Sequence, residues 1–190
     1  MKRAETYEKH IYCLEGNWDK HPRSNKSIRP ILELLKTSSK VKYIYHRCLT
    51  KEEFLRHLSD FTKLRYSNYS ILYFAFHGRS NKIMLGKEEI LLSELADVLE
   101  GKLRGKIVHF GSCSTLRISE RSVSNFIAQT ECMCLSGYRK KVEYLSSTAF
   151  ELVYFDKLQS YKDLKSAKRV LWFEFPSWIV KFDFQMFSSY

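Results

Sequence analysis

Little in this sequence loosens a chain or staples it. Proline occurs three times and glycine seven times in 190 residues, which argues against long flexible linkers. The five cysteines, Cys13, Cys48, Cys113, Cys132 and Cys134, contain no C-x-x-C pair. An odd set excludes a fully paired disulfide framework, and its spacing is not that of a zinc site. Long apolar runs are missing too. The stretch Ile71–Phe76 falls far short of the ~20 residues that span a bilayer, and the opening MKRAETYEKHIYCLEG carries no apolar signal region. These absences predict a soluble, cytoplasmic protein with reduced thiols and no transmembrane segment.

Acidic residues are in deficit. Lys and Arg number 32 against 21 Asp and Glu, a net charge of +11, and such an excess attracts polyanions in a general way. The cations are scattered, however. Arg139-Lys140-Lys141 is the only run of three, and no nucleic-acid-binding motif accompanies it, so nucleic acid is not expected as a partner.

Hydrophobic residues, by contrast, make up 44% of the chain and aromatics 15%, enough for a sizeable core. Strand and helix patterns alternate. Strands are predicted at Ile11–Leu14, Val41–Tyr45, Ile71–Phe76, Ile107–Phe110 and Cys132–Leu135, with a hairpin over Lys82–Leu92. A polar loop after Asn17 leads to a helix from Pro30. A second helix starts at Thr50 with a Thr50/Glu53 capping box. Others are expected after Ser93, around Val123 and Phe126, and from Ser146-Ser147. This order predicts an α/β fold with a mostly parallel sheet and helices on both faces. The last segment, VLWFEFPSWIVKFDFQMFSSY, alternates Val180, Phe182, Phe184 and Met186 with polar residues, a half-exposed strand pattern. Residues 1–160 are read as the main domain. Residues 161–190 are read as an aromatic-rich extension packed on the same domain or on a partner.

Two strand ends carry chemistry. ILYFAFHGRS (71–80) ends in His77-Gly78, and KIVHFGSCST (106–115) ends in Cys113. In a parallel α/β sheet, ligands sit beyond the carboxyl ends of the strands, and neighbouring strands lie ~4.8 Å apart. Adjacent, these two strands would bring a thiol nucleophile together with an acid–base imidazole. Cys113 is placed just before a predicted helix, whose N-terminal N–H groups favour negative charge. The peptide N–H groups of Gly78 and Cys113 are candidates for an oxyanion site.

The set FAFHG, IMLGKEEILLSEL, IVHFGSCST and CLSGY, in that order, resembles the clan CD cysteine peptidases, most nearly the CHAT branch related to caspases and separase. The resemblance covers roughly residues 11–158. It implies a caspase-like three-layer sandwich and a cysteine endopeptidase acting on protein substrates through a thioester on Cys113. It also implies His77 as general acid/base, Gly78 as an oxyanion contributor, no metal or organic cofactor, and regulated use in stress or immune responses. Control would then come from an activating or sensor chain, a cleavage or a homodimer. Arg-cleaving members carry an acidic residue just before the helix that follows the fifth strand. The matching position here is read as Ser146, which predicts a neutral or acidic preference, with Arg139, Lys140 or Lys141 supplying positive charge.

Rival readings are bland or poorly supported. A Cys-based phosphatase needs an Arg where Ser119 stands, and Arg117 and Arg121 are misplaced. Cys132 and Cys134 read as core packing and His109 as a core histidine; His10, His21, His46 and His57 read as surface residues. The rival from another class is a caspase-like binding or regulatory module whose His77 and Cys113 survive without turnover.

Overall fold

The computed structural model describes residues 7–19 and 25–188; most of the polar loop, including His21, lies outside them. Its centre is a six-stranded sheet of order β2-β1-β3-β7-β8-β9. Strand β1 is His10–Glu15, β2 Tyr43–Arg47, β3 Tyr69–Ala75, β7 Ile107–Phe110, β8 Cys134–Tyr138 and β9 Phe184–Ser188. All pairings are parallel except β8 with β9. A three-stranded antiparallel sheet, β4 His77–Arg79, β5 Lys82–Leu85 and β6 Glu88–Leu91, projects from the end of β3.

Helices cover both faces. Phe54 and Leu58 of α2 (Lys51–Phe61), Leu95 of α3 (Leu92–Val98) and Phe126 of α4 (Glu120–Thr130) pack on one side with Leu72, Phe74 and Phe110. On the other, Leu32 and Leu35 of α1 (Arg29–Ser39) and Phe150 and Phe155 of α5 (Tyr144–Ser160) pack with Ile71 and Tyr73. Leu171 of α6 (Leu164–Glu174) and Phe182 of α7 (Pro176–Phe182) join that side. Strands sandwiched this way have no polar face to alternate toward, hence the continuous burial of Ile71–Ala75 and Ile107–Phe110. None of the helices among the described residues is long and apolar enough to cross a membrane.

The Thr50/Glu53 capping box is present in both halves. Four local expectations are corrected. Helix α3 starts two residues early, with Leu91 rather than Ser93 at its cap and the Glu94 carboxylate accepting from the Leu91 N–H at 2.8 Å. Helix α5 starts at Tyr144 after Glu143, so Ser146 lies inside its first turn and neither serine caps it. Cys113 does not open a helix: a turn follows it, and α4 begins only at Glu120, capped by Ser119. In the tail, Val180 and Phe182 belong to α7. The strand begins at Phe184, after Asp183 reverses the chain in a left-handed conformation with φ 48°. Strand β9 pairs with β8, and its Phe184 stacks edge-on against Phe150 with ring centroids 4.9 Å apart.

Candidate functional site

Strand β1 is followed by β2 on one side and, after α2, by β3 on the other, so the sheet order reverses between β1 and β3. Such a switch point opens a crevice at the carboxyl ends of the strands. His77 leaves β3 there, and Cys113 leaves the neighbouring β7, whose register Phe74↔Phe110 sets the two exits side by side. The Gly111 N–H continues that ladder to the Phe74 carbonyl at 2.9 Å.

The two exits touch. A Cβ at Gly78 would lie 2.3 Å from Thr115 Oγ1, 2.8 Å from Ser112 Cβ and 2.9 Å from the Cys113 carbonyl oxygen. Only a glycine lets the His77-Gly78 backbone approach the Cys113 turn so closely. Beneath that turn the buried hydroxyls of Ser112 and Thr115 share a 2.6 Å hydrogen bond. Immediately after it, Ser114 takes a left-handed conformation with φ 55°, and its N–H donates to the Lys140 carbonyl at 2.9 Å. A non-glycine residue in that region is uncommon, and here it aims the turn.

Cys113 stands apart from the other thiols. All five cysteines lie among the described residues, and Cys113 alone is not buried. Burial pushes the Cys48 and Cys134 thiols up to about 12; it raises Cys132 as well and holds Cys13 well above the usual thiol range. The Cys113 thiol exchanges hydrogen bonds with the backbone of Val142, donating to its carbonyl and accepting from its N–H, each at 3.4 Å.

His77 is exposed, yet oriented. Its Nε2 lies 2.9 Å from the Trp18 carbonyl oxygen. A carbonyl only accepts, so Nε2 carries a proton, and in the neutral imidazole the lone pair is then on Nδ1. The Trp18 indole stands edge-on to the imidazole with centroids 5.4 Å apart, and also edge-on to the Tyr144 ring at 5.2 Å.

Beside Cys113 opens a cleft of about 1040 Å³. Its walls include Gly78, Cys113 and five cationic residues, Arg79, Arg117, Arg139, Lys140 and Lys141, against one carboxylate, Asp183. The sequence reading thus meets its basic run here, while Ser146 is not part of the wall; its hydroxyl donates to the Glu143 carboxylate. Glu143, not Ser146, immediately precedes α5.

A family model described as a family of unknown function (DUF6642) matches residues 8–188. The chain belongs to that family. No curated protein matches it. In this DUF6642 chain, no group of three or more His, Cys, Asp or Glu residues among those described is placed to hold a metal ion. His10 is buried, against the surface expectation, and His46 and His57 stack on each other with centroids 3.8 Å apart.

Sequence reasoning missed the second layer of this DUF6642 site. Glu151 of α5 is buried directly behind Gly111, where a Cβ would lie 2.7 Å from its Oε1. It accepts hydrogen bonds from the Tyr73 and Tyr138 hydroxyls. Its Oε1 also stands 3.7 Å from His109 Nε2, while His109 Nδ1 meets Ser136 Oγ at 3.0 Å. Glu15 and Trp18 were missed too; the only local signal is a carboxylate closing the otherwise apolar strand HIYCLE. Arg79 and Arg117 give no sequence signal, because the cleft that collects them is built from β4 and three separate turns.

Proposed function

We propose that this chain is a cysteine endopeptidase of the caspase-like, CHAT type, with Cys113 as nucleophile and His77 as general acid/base. The observation that carries the reading is the packing of the His77-Gly78 backbone against the turn bearing the one accessible thiol, on the wall of a cationic cleft. With Nε2–H held by the Trp18 carbonyl, His77 Nδ1 takes the thiol proton as Sγ turns away from Val142. Sγ then attacks the scissile carbonyl carbon. The N–H groups of Gly78 and Cys113 hold the oxyanion. Nδ1–H next protonates the departing amine, leaving a thioester on Cys113, and a water deprotonated by His77 hydrolyses it. No metal or organic cofactor enters these steps.

The preference proposed is for an acidic side chain near the cut, paired with Arg139, Lys140 and Lys141. Glu143 favours the opposite charge, but its carboxylate is engaged by Ser146, outside the cleft wall. Control by an activating or sensor chain, or by homodimerisation, belongs to the same proposal.

The test is a search for new protein N-termini in a proteome treated with the wild type, Cys113→Ala or His77→Ala. New termini that need both residues and follow one residue type support the reading; a basic residue before the cut would move the pocket to Glu143. A second reading, a silent caspase-like binding module, is favoured by the Cys113 thiol's pairing with Val142 rather than with His77. It prevails if no terminus depends on Cys113 and a partner complex forms equally well with Cys113→Ala.

A further inference from the structure

Glu15 is the last residue of β1, and only 1% of it is exposed. Its Oε1 accepts from the Trp18 indole N–H and, at 2.7 Å, from the Ile28 N–H. Its Oε2 accepts from Ser27 Oγ at 2.6 Å and from the Tyr45 hydroxyl. A buried carboxylate needs such donors to offset lost hydration. These come from three separate segments: the loop after β1, the entry to α1, and β2.

One of those donors leads to the candidate site. Trp18, held through its indole by Glu15, offers its own carbonyl to His77 Nε2 and its ring edge to the imidazole. The same loop is fixed to the residues just before His77. The Gly16 N–H donates to the Ala75 carbonyl at 2.9 Å, and a Cβ at Gly16 would lie 2.5 Å from the Phe76 ring. The loop carrying Trp18 and the strand end carrying His77 are therefore assembled as one unit, with Glu15 beneath it.

We infer that Glu15 is a positioning residue for His77, acting through Trp18 to fix the tautomer and direction of the imidazole. The inference rests on the reading of His77 as the general acid/base. Glu15 also acts on the ionisable groups that face it. Burial, and then Glu15, pushes the Tyr45 hydroxyl up to about 12; burial, and then Glu15, also raises Tyr144 and the Cys13 thiol.

The test uses the full chain and two readouts: the His77 tautomer from imidazole 15N shifts, and the rate of Cys113 alkylation by iodoacetamide. The variants are Glu15→Gln, Trp18→Phe, which keeps the ring and carbonyl but removes the indole N–H, their combination, and Tyr45→Phe. Wild type should show the Nε2–H form. Glu15→Gln and Trp18→Phe should each mix the tautomers and slow alkylation about 10-fold, a small part of what a general base contributes. The double variant should be no slower than the slower single one, because both act on one link. Tyr45→Phe removes a donor from Glu15 without touching Trp18 and should keep the wild-type tautomer.

Folded Glu15→Gln or Trp18→Phe protein with the wild-type tautomer overturns the inference. So does a Tyr45→Phe protein that loses the tautomer as fully as Glu15→Gln, since Glu15 would then only staple the fold. If the tautomer responds as expected but Cys113 alkylation is the same in His77→Ala, the positioning role stands and the peptidase reading falls.

Discussion

Adding one methyl group at Gly78 tests whether the two strand exits are in contact. In Gly78→Ala the new Cβ would stand 2.3 Å from Thr115 Oγ1 and 2.8 Å from Ser112 Cβ, closer than non-bonded heavy atoms settle. Neither neighbour has room to retreat, because Ser112 and Thr115 are fully buried. Overpacking of this kind costs about 1–3 kcal/mol. Moving Thr115 also breaks its 2.6 Å bond to Ser112, worth about 0.5–1.5 kcal/mol. The sum, about 1.5–4.5 kcal/mol, corresponds to a drop in Tm of roughly 3–18 °C for a chain of this length. The strain is relieved most easily by displacing the His77-Gly78 segment from the Cys113 turn, so His77-dependent alkylation of Cys113 should fall as well. Thermal unfolding followed by circular dichroism, with iodoacetamide kinetics well below the transition, gives both numbers. A Gly78→Ala protein with wild-type Tm and wild-type alkylation would refute the contact and with it the shared site.

Other expectations follow from the same geometry. Mass spectrometry of native protein treated briefly with iodoacetamide at pH 8 should find Cys113 modified well before the four buried thiols; early labelling of Cys48 or Cys134 would contradict their burial. Reversing charge with Lys140→Glu and Lys141→Glu together should reduce cleavage after acidic residues about 10–100-fold while leaving Tm nearly unchanged, and an unaffected rate would remove the acidic preference. Burial lowers the pKa of His10, His46 and His57 below their ordinary 6.5. A histidine depressed in the folded state takes up protons on unfolding, so stability is full above pH 6.5 and declines as pH falls through it. Denaturant midpoints from pH 7.5 to 5 should show that decline, and His57→Gln should flatten it; an unchanged slope would place the effect elsewhere. Glu151→Gln should destabilise by about 1–3 kcal/mol, since an amide faces two phenol donors with only one acceptor oxygen, and urea unfolding would measure it.

The parts of this fold that were legible in sequence are those set by local rules. Continuous apolar runs gave the parallel strands, because a strand covered on both faces has no polar side to reveal. Thr50 and Glu53 announced α2 because a capping box is complete within four residues. Legibility failed where tertiary partners decide. Ser146-Ser147 offered cap chemistry, but the chain enters α5 at Glu143, three residues before Ser146, where Val142 is held against the Cys113 thiol. The alternation from Val180 to Met186 read as one strand, whereas Pro176 starts a helix and the left-handed turn at Asp183 resets the direction before β9. Alternation over so short a span does not separate a helix end followed by a strand from one continuous strand.

The same division explains why the two candidate residues were visible and their supports were not. His77 and Cys113 stand out because each follows an apolar run and sits beside a small residue, a pattern complete within ten positions. Glu15 and Glu151 gain meaning only from donors 3 to 78 positions away, on loops and other strands. Both carboxylates are buried at the carboxyl-end rim of the sheet, one under the loop that holds His77 and one behind the turn that carries Cys113. Burying two acids near one rim is costly unless their placement does something an apolar side chain could not. On the proposed reading, orienting the two backbone turns at that rim is such a role. It accounts for why a fold with a largely hydrophobic interior keeps its buried carboxylates on the side of the sheet where the thiol and the imidazole emerge.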